Sequence, residues 1–511
     1  MPAAQPAAER SVDGRYASLG EVLLLTLQRP PGRQVRQRDI ELAGFEKRFE
    51  VGACRHDQAI FSPFIRLSQV AAAFARLLRR AQRKSHAGKL LRLSFHVSQS
   101  PTTSSFFRVP ILQRALAAFY YRDFRVLWFG AFTSTVGTWM QKIAQSWLVF
   151  DLTKSSFYLG LDDFLGQLPI LLFTLLGGVI ADRHDRRRLL MGSQFAQMAT
   201  AFALAGLVYQ GRVHIGHILV LSFTAGLAQA FGGPAYQAMV PTLVEKKDLP
   251  NAIALNSIQF NLARVFGPLL AGVTMAALGP AWCFSLNGLS FFVVILALMW
   301  LDIRHVPPVE RKPILHELKG GLAYVRSEPT IVALTILASM TTFLGLPLLT
   351  FLPVFAREIF HGDINRYSEM MAFSGMGAVV GALVVAWLGR FKHMGLTVLL
   401  VQLAFGVLIA GFAFSRIYWL SNLLLFCGGA ALLTVFSMTT SLVQLIVPDH
   451  LRGRVVSFYM VAFRGGMPLG SLASGYAASV LSVTTVLAIN GMLVSLVALY
   501  FLLKHDGVRE L

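Results

Sequence analysis

Residues 177–190 read GGVIADRHDRRRLL. Gly177 and Gly178 close an apolar run, Asp182, Arg183, Asp185 and Arg186-Arg187-Arg188 follow, and a second apolar run opens at Leu189. A short, strongly basic segment between two apolar runs predicts a loop between membrane spans. Short loops gather Lys and Arg on the cytoplasmic side.

The rest of the chain has the composition such a loop requires. Of its 511 residues 55% are hydrophobic and 14% charged, with a mean hydropathy of +0.58. Soluble domains carry about 25% charged residues, so lipid rather than water must cover most of this surface. The net charge of +20 does not point to nucleic acid. The basic residues lie in short loops and in the N-terminal region, not on one folded polar face. Cys54, Cys283 and Cys427 have neither metal-ligand spacing nor pairing, and no metal or cofactor is expected. Cys283 and Cys427 fall in apolar spans and read as packing residues.

A membrane helix needs about 20 mostly apolar residues. Stretches free of Asp, Glu, Lys and Arg supply them at 189–211, 213–244, 265–301 (two spans, broken at Gly279-Pro280), 330–356, 370–389, 395–415, 417–448 and 465–503 (two spans, turning near 481–484). Two more, 124–150 and 156–181, contain charge. The expectation is an all-α membrane protein of twelve helices. With a cytoplasmic N-terminus, the inner loops and tail hold 17 Lys and Arg and the outer loops 5, which places both termini in the cytoplasm.

The polar break at 302–329 divides the spans six and six. The expected organisation is an extension over 1–115, a six-helix bundle over 116–303, a linker over 304–328, a second bundle over 329–505 and a tail over 506–511. Arg264-x-x-x-Pro268-Leu269 recurs 200 residues later as Arg464-x-x-x-Pro468-Leu469. Each copy follows a basic loop and opens the fifth helix of its half.

The loop resembles that between the second and third helices of the major facilitator superfamily of secondary transporters. Gly178, Asp182, Arg183, Arg186, Arg187 and Arg188 fit the pattern, and Asp185 stands where its second Gly is usual. The resemblance covers about 118–503. Within the superfamily the chain resembles the exporter branch that holds the enterobactin exporter and the macrolide efflux proteins. That is carried by Trp139-Met140-Gln141-Lys142, Ala181-Asp182-Arg183, Leu249-Pro250-Asn251-Ala252, Asn256-Ser257 to Gly267-Pro268, Phe284 to Asn287, Leu352 to Arg357 and Arg452-Gly453-Arg454-Val455. The resemblance implies two six-helix bundles related by an axis along the membrane normal. Substrate would sit between them near the midplane, and rocking would alternate its exposure. It implies export from a bacterial inner membrane by a monomer. It also implies that Asp182 meets the start of the eleventh helix when the transporter faces outward, as a latch. Gly267-Pro268-Leu269-Leu270-Ala271-Gly272 resembles the fifth-helix motif of drug antiporters, with Ala263 and Ala271 replacing two of its glycines. Small residues there allow close helix approach, and Pro268 bends the helix.

Ionisable groups at bilayer depth are costly unless paired or facing a wet cavity. Asp162 and Asp163 lie about two turns into the second span. Successive residues differ by about 100° around a helix, so only one can point straight into a cavity. One reading is a carboxylate that gains and loses the coupling proton; the other is an interfacial pair wetted by headgroups. Lys142 is either a counter-charge for Asp163 or for an anionic substrate, or snorkels to the interface. Arg264 and Arg464 are expected just inside the cytoplasmic ends of their helices, as anchors to carbonyls or phosphates. Gln141, Gln167 and Asn287 either line the cavity or bridge helices.

Over 1–110 there are 18 Lys and Arg against 8 Asp and Glu. Residues 64–84 could form a basic amphipathic helix on an anionic membrane. A translation start nearer Val109 is the competing expectation, since no Met falls between Met1 and Met140. No HExxH, GxSxG or P-loop motif is present, so the chain does not read as an enzyme. A small-molecule exporter driven by protons is the leading expectation, with an importer or a non-transporting receptor of the same fold as alternatives.

Overall fold

The computed structural model describes residues 116–301, 323–449 and 451–511. All of them belong to one compact unit, 102–511. Cys54 and the amphipathic segment 64–84 lie outside the described residues, as does most of the linker 304–328.

The long helices are α1 Arg122–Thr153, α2 Ser156–Arg183, α3 Arg186–Tyr209, α4 Ile215–Met239, α5 Leu249–Leu278 and α6 Pro280–Trp300. They continue as α7 Pro329–Gly345, α8 Ile364–Leu388, α9 Met394–Phe414, α10 Tyr418–Ile446, α11 Arg452–Val480 and α12 Val483–Lys504. No strand occurs among the described residues. Beyond Gly345 the chain of α7 continues through two short turns and a π-turn, Phe355–Ile359. Pro347 and Pro353 open those turns, each removing a backbone donor. Among the described residues nine helices, α2, α4 to α10 and α12, are long and apolar enough to cross a membrane. The other three, α1, α3 and α11, carry charge or polar side chains along their length.

Helix ends follow local chemistry. Asp185 caps α3, accepting from the Arg187 and Arg188 amides. Asp363 caps α8 and Ser482 caps α12 in the same way, each satisfying amides that the helix leaves unpaired. Gly279, at φ +88°, breaks α5 from α6, and Pro280 opens the next helix without wasting a donor.

The packing repeats. In the first half α2 packs on α4, α3 on α6 and α4, and α1 on α5 and α6. Shifted by six helices, the same pairs recur: α8 on α10, α9 on α12 and α10, α7 on α11 and α12. The halves meet through α2 with α11 and through α5 with α8, which are themselves equivalent under that shift.

Three apolar clusters show where the halves join. One lies in the first half at the end that carries the basic loops, and includes Phe124, Leu127, Leu190, Met239 and Leu298. A second is its counterpart in the other half, with Leu334, Leu337, Val398, Val443 and Tyr459. The third draws on both halves at the opposite end: Phe150, Ile218 and Phe284 from one, Phe351, Tyr367, Phe412 and Leu487 from the other. The halves thus share a core at this closed end and keep separate cores at the basic end.

The structure corrects one depth. Arg264 is residue 16 of the 30 in α5, and Arg464 is residue 13 of the 29 in α11. Both lie near mid-helix, not just inside an end. A count of charge-free residues stops at the first charge, whereas the helices begin at Leu249 and Arg452.

Candidate functional site

The two neighbouring carboxylates on α2 face different partners. Asp162 stays within its own half. It accepts from Gln145 Nε2 at 2.9 and 3.0 Å and from Ser222 Oγ at 2.5 Å, so α1 and α4 close around it. Asp163 turns toward the other half. Its Oδ1 meets Lys142 Nζ at 3.0 Å, and its Oδ2 accepts from Ser471 Oγ of α11 at 2.7 Å. Ser471 in turn lies 3.2 Å from Thr350 Oγ1. One carboxylate thereby touches α1, α2 and α11, and through Ser471 the chain of α7.

Close backbone approach sets this rotation of α2. A Cβ on Gly160 would run into the Ser471 carbonyl and lie 3.1 Å from Gly475 Cα. On the other side, Gly226 of α4 leaves no room for a Cβ against the Gly166 carbonyl, nor Gly177 against that of Ala230. With α11 on one side and α4 on the other, the 100° between Asp162 and Asp163 sends one to each.

Polar contacts extend from the carboxylates into the first half. Asn287 Nδ2 donates to Gln141 Oε1 at 2.7 Å, and Gln141 Nε2 reaches Gln145 Oε1 at 3.5 Å. Asn287 is buried and bridges α6 to α1. Gln167 instead lines a cavity of about 180 Å³ between the halves, with Leu171, Thr342, Leu346, Arg464 and Met467. Gln167 is one helical turn from Asp163 and Met467 one turn from Ser471, so the cavity begins about 6 Å from the Asp163–Ser471 contact, on its basic-end side. Sequence reasoning missed Gln145, Ser222, Ser471 and Thr342. Gln145 sits one turn after Gln141 on the same face and carried a signal; lone hydroxyls in apolar spans carry none.

The two copies of the Arg-Pro repeat occupy matched surroundings. On α5, a Cβ at Gly267 would lie 2.9 Å from the Val136 carbonyl of α1, and one at Gly272 would lie 3.0 Å from Ser368 Cβ of α8. Pro268 is buried between them. On α11, a Cβ at Gly466 would lie 2.7 Å from the Ser339 carbonyl of α7, and Pro468 is buried. The Arg264 guanidinium lies 5.7 Å from the Trp139 ring centre, and Lys142 approaches the same ring at 5.9 Å.

At the basic end the loop residues tie helix ends together. Arg186 pairs with Asp182 at 3.7 Å and donates to the Ala238 carbonyl at 3.0 Å. Arg187 donates to the Met299 carbonyl at 2.8 Å. Cations at helix C-termini satisfy exposed carbonyls and oppose the helix dipole. Arg188 reaches Asp185 at 3.5 Å. Arg183 forms the last turn of α2. A Cβ on Gly178 would meet nothing within 4 Å; its neighbour Gly177 makes the tight contact. Among the described residues no group of His, Cys, Asp and Glu could hold a metal ion. Cys283 is buried and Cys427 partly buried, both free thiols.

A family model described as transmembrane secretion effector matches residues 113–507. The chain is 27% identical over 367 residues to the staphyloferrin A transporter of Staphylococcus aureus, covering 71% of this chain and 91% of that protein. It is 23% identical over 390 residues to the enterobactin exporter EntS of Citrobacter koseri, covering 76% and 92%. It is 21% identical over 387 residues to macrolide efflux protein A of Streptococcus pyogenes, covering 74% and 94%. Among solved structures, the nucleoside transporter NupG superposes with a TM-score of 0.60 at 15% identity, covering 75% of this chain and 98% of that one. That likeness speaks for the fold alone.

Proposed function

The chain belongs to the transmembrane secretion effector family of major facilitator transporters, and on that premise we propose that it exports amphipathic small molecules, drug-like or siderophore-like, in exchange for protons. Two relatives, named an exporter and an efflux protein, support export. We read all of α1 to α12 as spans, in two six-helix bundles, with both termini in the cytoplasm of a bacterial inner membrane and the monomer as the working unit. The basic end then faces the cytoplasm, and the described state is open inward.

The observation that carries the coupling reading is the double engagement of Asp163. Its carboxylate holds Lys142 on one oxygen and Ser471 of the opposite half on the other. Opening the closed end must break the bond to Ser471. While that end stands open, Asp163 takes up a proton from outside, which removes the charge that both donors answer. It keeps the proton as the closed end re-forms and loses it to the cytoplasmic side, where Lys142 and Ser471 again hold the carboxylate; bound substrate drives the next opening. Asp162, held by Gln145 and Ser222 within one half, is the fixed partner in this reading. Asp182, Arg183, Arg186, Arg187 and Gly178 form the latch at the other end. The open space beside Gly178 leaves room for a neighbouring helix when the basic end closes.

The test uses inside-out vesicles under an imposed proton gradient, with amphipathic drugs and a catecholate siderophore as substrates. Wild type should release protons when substrate is added, and Asp163→Asn at equal expression should not. Proton release that survives Asp163→Asn removes the coupling role from this residue. Substrate accumulation without proton movement in wild type removes proton coupling altogether.

A further inference from the structure

We propose that Arg464 is the anion-recognition residue of the transport cavity, and that the substrate is an amphipathic molecule bearing an anionic oxygen group, a carboxylate or an ionised catechol. The inference deepens the transport reading above and rests on it.

Arg464 lies near the middle of α11, seven residues and about two turns before Ser471. It lines the cavity between α2, α7 and α11, and it is exposed there. Among the described residues no carboxylate comes within 4 Å of its guanidinium, whereas the other mid-bilayer cation on α1, Lys142, is matched by Asp163. Asp162 and Asp163 are both engaged elsewhere. No acidic side chain lines the cavity.

A guanidinium at this depth is costly unless a polar or anionic group answers it. It presents a planar fork of donors that fits the two oxygens of a carboxylate or catecholate. Gln167 stands across the same cavity as a neutral donor, and Leu171, Leu346, Phe463 and Met467 supply apolar surface around both. One fixed positive point in an apolar wall selects an anionic head on an apolar body. The pseudo-equivalent Arg264 reinforces the field. Its Nε is buried without a hydrogen-bond partner, and no carboxylate approaches within 4 Å among the described residues. The midplane therefore carries two arginines without counter-charges and repels cations.

Binding to the detergent-solubilised full chain at pH 7.5, by equilibrium dialysis, separates charge from shape with matched probes. The pairs are 2-naphthoate with 2-naphthamide, and 2,3-dihydroxybenzoate with 2,3-dihydroxybenzamide. Wild type should favour the anion at least tenfold in one pair or both. Arg464→Gln should reduce that preference to within twofold while leaving the neutral probe's affinity unchanged, and Arg464→Lys should keep part of it. If Arg464→Gln is not monodisperse, Gln167→Leu replaces it, with a partial loss expected. No preference for the anion in either pair, including no binding at all, overturns the proposal, as does a preference that survives Arg464→Gln. Accumulation of the same four probes in inside-out vesicles is run in parallel. Accumulation with no anion preference sinks this inference and leaves export standing. Anion preference with no transport of any probe leaves the recognition site and sinks the export reading.

Discussion

Asp163 Oδ2 accepts a 2.7 Å hydrogen bond from Ser471 Oγ, joining the second helix of one half to the eleventh of the other. The same carboxylate holds Lys142 on its other oxygen. The bond lies at the end where the halves share a core, so its strength helps set how readily that end opens.

Ser471→Ala removes the donor to Oδ2 and leaves Lys142 on Oδ1. A hydrogen bond to a charged group contributes about 1.5–3 kcal/mol, equivalent to a tenfold or larger change in an equilibrium. The closed end should open more often. A cysteine placed at Ala478, buried on α11 at this end, should react with an impermeant maleimide about tenfold faster in the Ser471→Ala background. An unchanged rate would mean the core alone holds this end shut.

Lys142 and Asp163 should behave as a coupled pair. Lys142→Met strands a mostly buried carboxylate, whose side chain is 9% exposed, and should lower the thermal unfolding midpoint. Adding Asp163→Asn should recover most of the loss, because the residual cost is that of an uncompensated charge. The Lys142 side chain is 37% exposed, so solvent screening holds the coupling near the low end of the 0.5–3 kcal/mol found for touching residues. Additive midpoints across the cycle would count against a working ion pair.

The neighbouring glycines of the α2 end should separate by one methyl group. Gly177→Ala forces a Cβ against the Ala230 carbonyl and should cost about 1–3 kcal/mol, as overpacking does. Gly178→Ala meets open space and should leave thermal stability unchanged or slightly raised, since Ala favours the helix. If Gly178 serves the latch, its substitution should slow transport at undiminished stability. Equal destabilisation by both would contradict the packing described.

Asp185 caps α3 where the related loops usually carry Gly. Its φ of −62° asks for no glycine, and its carboxylate serves two amides. Asp185→Ala should destabilise by about 1 kcal/mol and Asp185→Gly by only a few tenths. Thermal unfolding of the three proteins side by side gives the order, and Gly falling below Ala would reverse the assignment.

The sequence alone located the helices, because charge in hydrocarbon is expensive and the chain avoids it for about twenty residues at a time. It announced the basic loop 177–190, the 302–329 break and the Arg-Pro repeat, and these with the family motifs were enough for the fold. The same criterion placed Arg264 and Arg464 at helix ends, because it counts a charge as a boundary. Only the packed structure supplies a cavity in which a mid-helix Arg464 is tolerable. Likewise, the sequence required that Asp162 and Asp163 diverge by the helical angle, but not which faced the partner half. That depends on the rotation of α2, fixed by the contacts of Gly160 with α11 and of Gly166 and Gly177 with α4. Hydrophobicity is a property each segment carries alone, so it can be read residue by residue. A helix's rotation about its own axis is decided by what its neighbours leave room for, and that exists only once they are packed.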